Sequence, residues 1–434
     1  MIVSLLLTAT LAAQDTTRLT LADAVRKALD THPSVGAARA GRDAAHAAVG
    51  EARAPLFPRV SASYGVNESK IGSLVYPLSG INPLDPPLFN RTVSQGALAL
   101  GYTLFDFGGR TSLVRFAQAQ ERRADAALDA TSAATISRVA NAYLRVLTTR
   151  GILDAEERQL AALRAEASRI AQLEAQGKAA HVEVLRLAAQ VSRSRADQVG
   201  TGAQLEVAVR DLAQLVALPV DTVRLLAPVR LADTTLADRA TLVASAESSS
   251  PDVAQAQRAA EAAGAGVGVA RASLLPQLGL SAAYMENGHS FTGYRPYWSA
   301  GLQLTYPIFT GGSRLNAIRR NEATARAATE QLRGARMAAE QSVDVAMATV
   351  AAARATVEAL VTAVAQSEEV ERIRLLSLQV GSGTETDYLD AEAQLLANRA
   401  SLVEARHAEI AARVELARVT GVLSPEWMAR VLGQ

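Results

Sequence analysis

The chain has 434 residues, a net charge of +1 and no cysteine. That length allows two ordinary domains or one elongated one, the charge argues against nucleic acid as the main partner, and the missing thiols exclude disulfides, thiolate metal sites and a lipid-modified cysteine. Hydrophobic residues make up 49%, aromatics only 4%, and alanine supplies much of the remainder, a mix that suits long helices with narrow seams better than a thick core.

Met1–Ala13 (MIVSLLLTATLAA) is apolar and ends in small residues, like the core of a secretory signal peptide, although a basic n-region and a clean A-x-A site are missing. Export is the expectation. No run of about 18 apolar residues follows, which argues against a transmembrane helix. Residues 14–218 and 251–421 read as two copies of one unit. Pro33 and Pro251 open matching helical stretches, to Ala54 and Ala272, and Pro58 and Pro276 follow them. Further on, Leu104-Phe105-Asp106-Phe107-Gly108-Gly109 matches Ile308-Phe309-Thr310-Gly311-Gly312, and Gly177 matches Gly381.

After each second proline the hydrophobic period changes to two. Strands are expected at about 59–68, 94–105, 277–286 and 297–307. One face would carry Val60, Tyr64, Leu98, Leu100, Tyr102, Leu278, Leu280, Tyr284, Trp298, Leu302 and Leu304, and the other small or polar residues such as Ser61, Ser63, Gly101 and Ser281. Each strand, at roughly 9–10 residues, could cross a bilayer if tilted, and the first face would then meet lipid. A soluble half-buried sheet alternates in the same way. Unequal connections favour the membrane: Ile71–Arg91, rich in proline, against the short Asn287–Pro296. Four strands cannot close a barrel, so other copies must complete it, two giving eight strands or three giving twelve.

The helical hairpins are expected at 111–218, turning near 177, and at 313–420, turning near 381–383. In each, the first helix is about 100 Å long if straight and the second about 60 Å, so the turns should lie at the end of a rod away from the sheet. Leu389, Leu396, Val403, Ile410 and Ala417, offset by Ala393, Ala400, His407 and Val414, form a seam of period seven. Residues 219–250 would link the repeats at the rod's equator, with residues 14–32 and 422–434 packed beside them.

Nothing here suggests an enzyme. The five histidines are scattered, no H-E-x-x-H, P-loop or G-x-S-x-G occurs, and neither a metal nor a cofactor is expected. Gly264-Ala265-Gly266-Val267-Gly268 follows a helical pattern rather than a strand, so it reads as close helix packing. The one constellation of interest is the second turn. Gly381-Ser382-Gly383 reverses the chain, Thr384 is a helix N-cap, and Asp387 and Asp390 share a face beyond it. Glu183 and Arg186 hold the matching positions of the first repeat.

The duplicated plan, L-T-L-A-D-A-V-R-K-A-L from Leu19, the proline before each first strand, the closing glycine pairs and V-G-S-G-T-E-T-D-Y-L-D-A-E together resemble the TolC family of outer-membrane efflux and secretion channels. The resemblance covers the chain after residue 18. It implies an α+β membrane protein: a homotrimer with a 12-stranded β-barrel, four strands per chain, in the outer membrane, continued through the periplasm by a long α-helical coiled-coil barrel. It also implies a passive exit duct for small molecules or drugs in a tripartite efflux pump or type I secretion system. Its partners would be a periplasmic adaptor (membrane fusion protein), docking at Gly177, Lys178, Gly381, Ser382, Gly383 and Thr384, and an inner-membrane pump. Asp387 and Asp390 would form the family's acidic ring at the periplasmic gate. The arginine and tyrosine that latch the family prototype are replaced here by Gly383 and Leu378. The alternative is a periplasmic coiled-coil scaffold or adaptor without a pore.

Overall fold

A computed structural model describes residues 18–76, 87–232 and 235–432. The expected signal peptide, 1–13, lies outside the described residues. The chain divides into two compact units. The sheet unit comprises Arg39–Ala127 and Gln255–Ala335, and the helical unit comprises the residues up to Ala38, Leu128–Ala254 and the chain from Arg336 onward.

In the sheet unit, β1 (Arg59–Leu74), β2 (Phe89–Phe105), β3 (Gln277–His289) and β4 (Thr292–Thr305) form one antiparallel sheet in the order β1-β2-β3-β4. The strands run to 13–17 residues, longer than the 9–10 that the alternating apolar positions mark. The ladder is a backbone property, and it continues through polar residues once the apolar face has ended. Asn287–Pro296, expected as a loop, is instead mostly paired, with Asn287 opposite Arg295 and Glu286 opposite Pro296. Only Ser290 and Phe291 turn, both at positive φ (50° and 69°), as a two-residue hairpin loop requires. Among the described residues β4 is an edge strand of the single chain's sheet, where a proline such as Pro296 is tolerated. Likewise, 71–74 and 89–91 of the expected long loop belong to strands, and 77–86 lie outside the described residues.

Two helices enter this unit in part, α2 (Pro33–Arg53) and α7 (Pro251–Ala272), as do the first parts of α3 (Gly109–Ala175) and α8 (Ser313–Gln379). Val49 and Ala52 of α2 pack on Ala117 of α3. Of the three glycines in α7, Gly266 and Gly268 are close-packing positions. A Cβ at Gly266 would lie 3.5 Å from the Phe116 ring, and one at Gly268 3.7 Å from Ser112 Oγ.

The helical unit has the larger core. Within it α1 (Leu21–Thr31) starts at Thr20, whose side chain accepts from Asp23 N, and buries Leu21, Ala24, Val25 and Ala28, the spacing of one helical face. These meet Val139, Tyr143 and Val146 of α3 and Val209, Leu212 and Val216 of α4 (His181–Val216). The described part of 219–250 contains α5 (Val220–Val223), a parallel bridge from Leu226 to Leu19, and α6 (Arg239–Ser249). Tyr143 OH lies 2.7 Å from the carbonyl oxygens of both Leu19 and Ala227 and ties that bridge to α3; burial pushes its phenol pKa up and keeps it a neutral donor. α10 (Pro425–Leu432) adds Met428, Val431 and Leu432 to the same core. Arg239 fastens α6 to α8 through Asp344 (2.6 Å) and Glu340 (2.9 Å).

α9 (Glu385–Val419) is buried along two stripes rather than along the one seam seen in the sequence. Towards α3, a Cβ at Gly151 would lie 3.0 Å from Val403, and Thr148 Oγ1 meets His407 Nδ1 at 2.7 Å. Towards α8, Ala412 and Leu416 pack on Ala346 and Val350. This second stripe was hidden because alanine contributes little hydrophobic contrast. The same alanine richness makes one stretch of α8 long and apolar enough to cross a membrane by length and composition alone.

Candidate functional site

Two regions carry the functional candidates, and each lies inside one unit. The first is the sheet. Its register aligns Val60, Leu100, Ala282 and Ala300 in one row and Ala62, Leu98, Tyr284 and Trp298 in the next. Tyr102, Leu280 and Leu302 form a third row, and Leu278 and Leu304 a fourth. Since side chains alternate across a strand, this register puts all eleven residues expected on the apolar face, Tyr64 included, on a single face. That face is bare: Trp298 is 76% exposed, Leu302 and Leu304 67% each, and Val60 61%. At the helix end of the strands an aromatic and aliphatic group continues it. Phe105 and Phe107 meet edge to face at 4.6 Å, and Ile308 and Phe309 are almost fully exposed.

The opposite face differs in shape and chemistry. It carries Ser61, Ser63, Gly65 and Asn67 on β1, facing Ala99, Ala97, Gln95 and Val93 on β2. Ser281, Ala283, Met285 and Asn287 continue it on β3, opposite Gly301, Ser299, Tyr297 and Arg295 on β4. At the helix end it fronts a cavity of about 1000 Å³, lined by Arg59, Gly101, Thr103, Gln277, Ser281 and Gln303 of the sheet and by Glu51 and Phe116 of α2 and α3.

The second region is the pair of hairpin turns in the helical unit. Each is built the same way. Gly177 (φ +70°) ends α3, and Lys178 N donates to Leu173 O at 2.8 Å; Gly381 (φ +77°) ends α8, and Ser382 N donates to Ser377 O at 2.9 Å. Both are helix stops that need a left-handed residue, and glycine supplies it without a Cβ clash. Gly383 answers a different need, since a Cβ there would lie 2.9 Å from the Ser377 Cβ. Thr384 Oγ1 then caps α9 by accepting from Asp387 N at 3.2 Å.

Asp387 is half-exposed and 3.8 Å from Arg374 of α8, while Asp390 is exposed one turn on. The two turns are joined. Arg186 of α4 donates to Thr386 Oγ1 of α9 at 2.9 Å and also pairs with Glu183 at 2.8 Å. Arg374, Arg186 and Thr386 are absent from the candidates read in sequence. Arg186 stood at the position matching Asp390, but nothing in a sequence pattern shows that two hairpins touch there. Among the described residues no cluster of histidine and carboxylate side chains suits a metal ion.

A sequence profile of the outer membrane efflux protein family matches residues 9–218 and 242–422. The chain belongs to that family, the TolC family. Protein CyaE of Bordetella pertussis is 32% identical over 348 residues, covering 79% of this chain and 71% of that protein. The outer membrane protein TolC of Vibrio cholerae is 25% identical, covering 94% and 91%. Among solved structures, the Campylobacter jejuni CmeC outer membrane channel superposes with a TM-score of 0.80 at 15% identity, over 94% of this chain and 87% of that one. The outer membrane protein VceC of Vibrio cholerae superposes at 0.75 with 23% identity, over 92% and 96%. These structural likenesses concern the fold. As a TolC-family member, this chain is an outer-membrane transport protein, and both the expected family and the expected location hold.

Proposed function

We propose that this TolC-family chain is the outer-membrane exit duct of a tripartite efflux pump or type I secretion system, conducting small molecules passively. The observation that carries the reading is the bare apolar face, unbroken across four strands and backed by a polar, concave one. In water such a face would be an aggregation surface; against lipid it is the stable arrangement. β1 and β4 leave unpaired edges, and an open edge cannot face hydrocarbon. Further copies therefore complete the barrel, and a homotrimer with twelve strands is the arrangement we adopt. The names of relatives such as the pyoverdine export outer membrane protein OpmQ of Pseudomonas aeruginosa, 30% identical over 308 residues, support an export role.

In this reading a periplasmic adaptor docks at the turns around Gly177, Lys178 and Gly381–Thr384, and an inner-membrane pump supplies the cargo. Asp387 and Asp390, repeated by symmetry, ring the gate with carboxylates. The Arg186–Thr386 bond ties the second hairpin to the first, and the half-exposed Arg374–Asp387 pair links the two helices of the second, where Gly383 leaves no room for a side chain. Membrane-extracted protein run on a gel with and without heating tests the proposal. A barrel-bearing oligomer migrates anomalously until boiled. A soluble monomer with no such shift supports instead a periplasmic scaffold without a pore.

A further inference from the structure

The residues that follow β1 stay paired within their own hairpin yet also reach the polar face of β3 and β4. Val75 N still donates to Leu88 O, at 2.8 Å, as a continuation of the β1–β2 hairpin would. The Val75 carbonyl, however, accepts from Asn287 Nδ2 of β3 at 2.9 Å, although β2 stands between β1 and β3. Tyr76 reaches one strand further. The Arg295 guanidinium of β4 lies 4.7 Å from its ring centroid, and the Tyr76 hydroxyl donates to the Gly293 carbonyl. A Val75 carbonyl met by the Asn287 side chain of β3, and a Tyr76 side chain that reaches β4, must lie over β2 on one face of the sheet or the other. Asn287 and Arg295 decide the side, since they pair with each other and lie on the polar face with Gln95. The crossing is packed as well as bonded, because Val75 is fully buried.

We propose that Val75 and Tyr76 form a strap across the inner face of the barrel at its loop end, and that this strap limits the size of solute able to pass. The inference rests on the reading that the polar face lines a conduit. A phenol ring pinned by a cation–π contact and one hydrogen bond, next to a Val75 backbone held by two more, is a fixed obstacle rather than a loose loop. Narrowing a pore by side chains of this size filters solutes by diameter. In a symmetric assembly each copy contributes one strap to the same rim.

The absence of native cysteine allows a direct test. Adjacent residues of β3, Ala282 on the apolar face and Ala283 on the polar one, are each replaced by cysteine in the full chain. Intact cells are labelled from outside with a small methanethiosulfonate and with a bulky poly(ethylene glycol) maleimide. The expectation is that Ala283→Cys reacts readily with the small reagent and slowly with the bulky one. Adding Tyr76→Ala should speed the bulky reagent by ~10-fold and leave the small one little changed. Asn287→Ala, which removes one anchor and keeps the ring, should give an intermediate gain, and it serves where Tyr76→Ala fails to assemble. Equal bulky-reagent rates in the presence and absence of the strap anchors, with the heat-dependent gel shift intact, would overturn the strap alone. Labelling of Ala282→Cys with protection of Ala283→Cys would overturn the conduit reading, and the strap with it.

Discussion

Ser377 decides what can stand at position 383. With its Cβ 2.9 Å from where a side chain would begin, Gly383→Arg has to move the last turn of α8, and we expect it to cost about 1–3 kcal/mol rather than restore a latch. A lower melting temperature for the extracted protein checks this. The tie that the turn does possess is Arg186–Thr386. Arg186→Ala with Arg374→Ala should loosen the second hairpin and raise single-channel conductance; an unchanged conductance rejects these residues as the hold. His407 supplies a pH dependence. Burial against α3 lowers its pKa, so the unfolded chain binds a proton more readily than the folded one. Stability is therefore complete above the ordinary histidine value of about 6.5 and declines as pH falls from there to the depressed folded value. Thermal melts from about pH 7 to pH 5 should show that slope, and His407→Leu should flatten it.

At the level of elements, much was legible. Proline spacing and glycine pairs marked the repeat, and a period of two marked four strands whose register gathers the expected apolar residues on one face. Strand length was not legible, because backbone pairing runs on past the residues whose hydrophobicity announces it. Nor was the second buried stripe of α9, where Ala412 and Leu416 meet Ala346 and Val350, since alanine packs closely without raising the local contrast. The ties of Arg186 to Thr386 and of Tyr76 to Gly293 join residues 200 and 217 apart in sequence, beyond the reach of any local pattern. The shared face has its own test. Leu100 and Leu280 lie in adjacent rows, and Leu100→Arg or Leu280→Arg should impair barrel insertion by about 2–4 kcal/mol if they meet lipid near the midplane. Normal assembly of both variants, read by heat-dependent gel migration, contradicts the face assignment.

For the whole molecule, the decisive property is what a single chain lacks. Among the described residues its sheet has two open edges, and Trp298, Leu302 and Leu304 are exposed. Membership of the TolC family places the chain in the outer membrane, and in the proposed reading lipid covers this face and further copies supply the missing strands. The central claim is that the assembled protein conducts. Planar bilayers containing the purified, heat-shifting oligomer test it most directly. The account predicts discrete conductance steps that divalent cations block from one side of the bilayer, with the block weakened in an Asp387→Ala, Asp390→Ala double variant. A correctly assembled oligomer that leaves the bilayer at its lipid baseline, in the wild type and in the Arg186→Ala, Arg374→Ala variant alike, would contradict it.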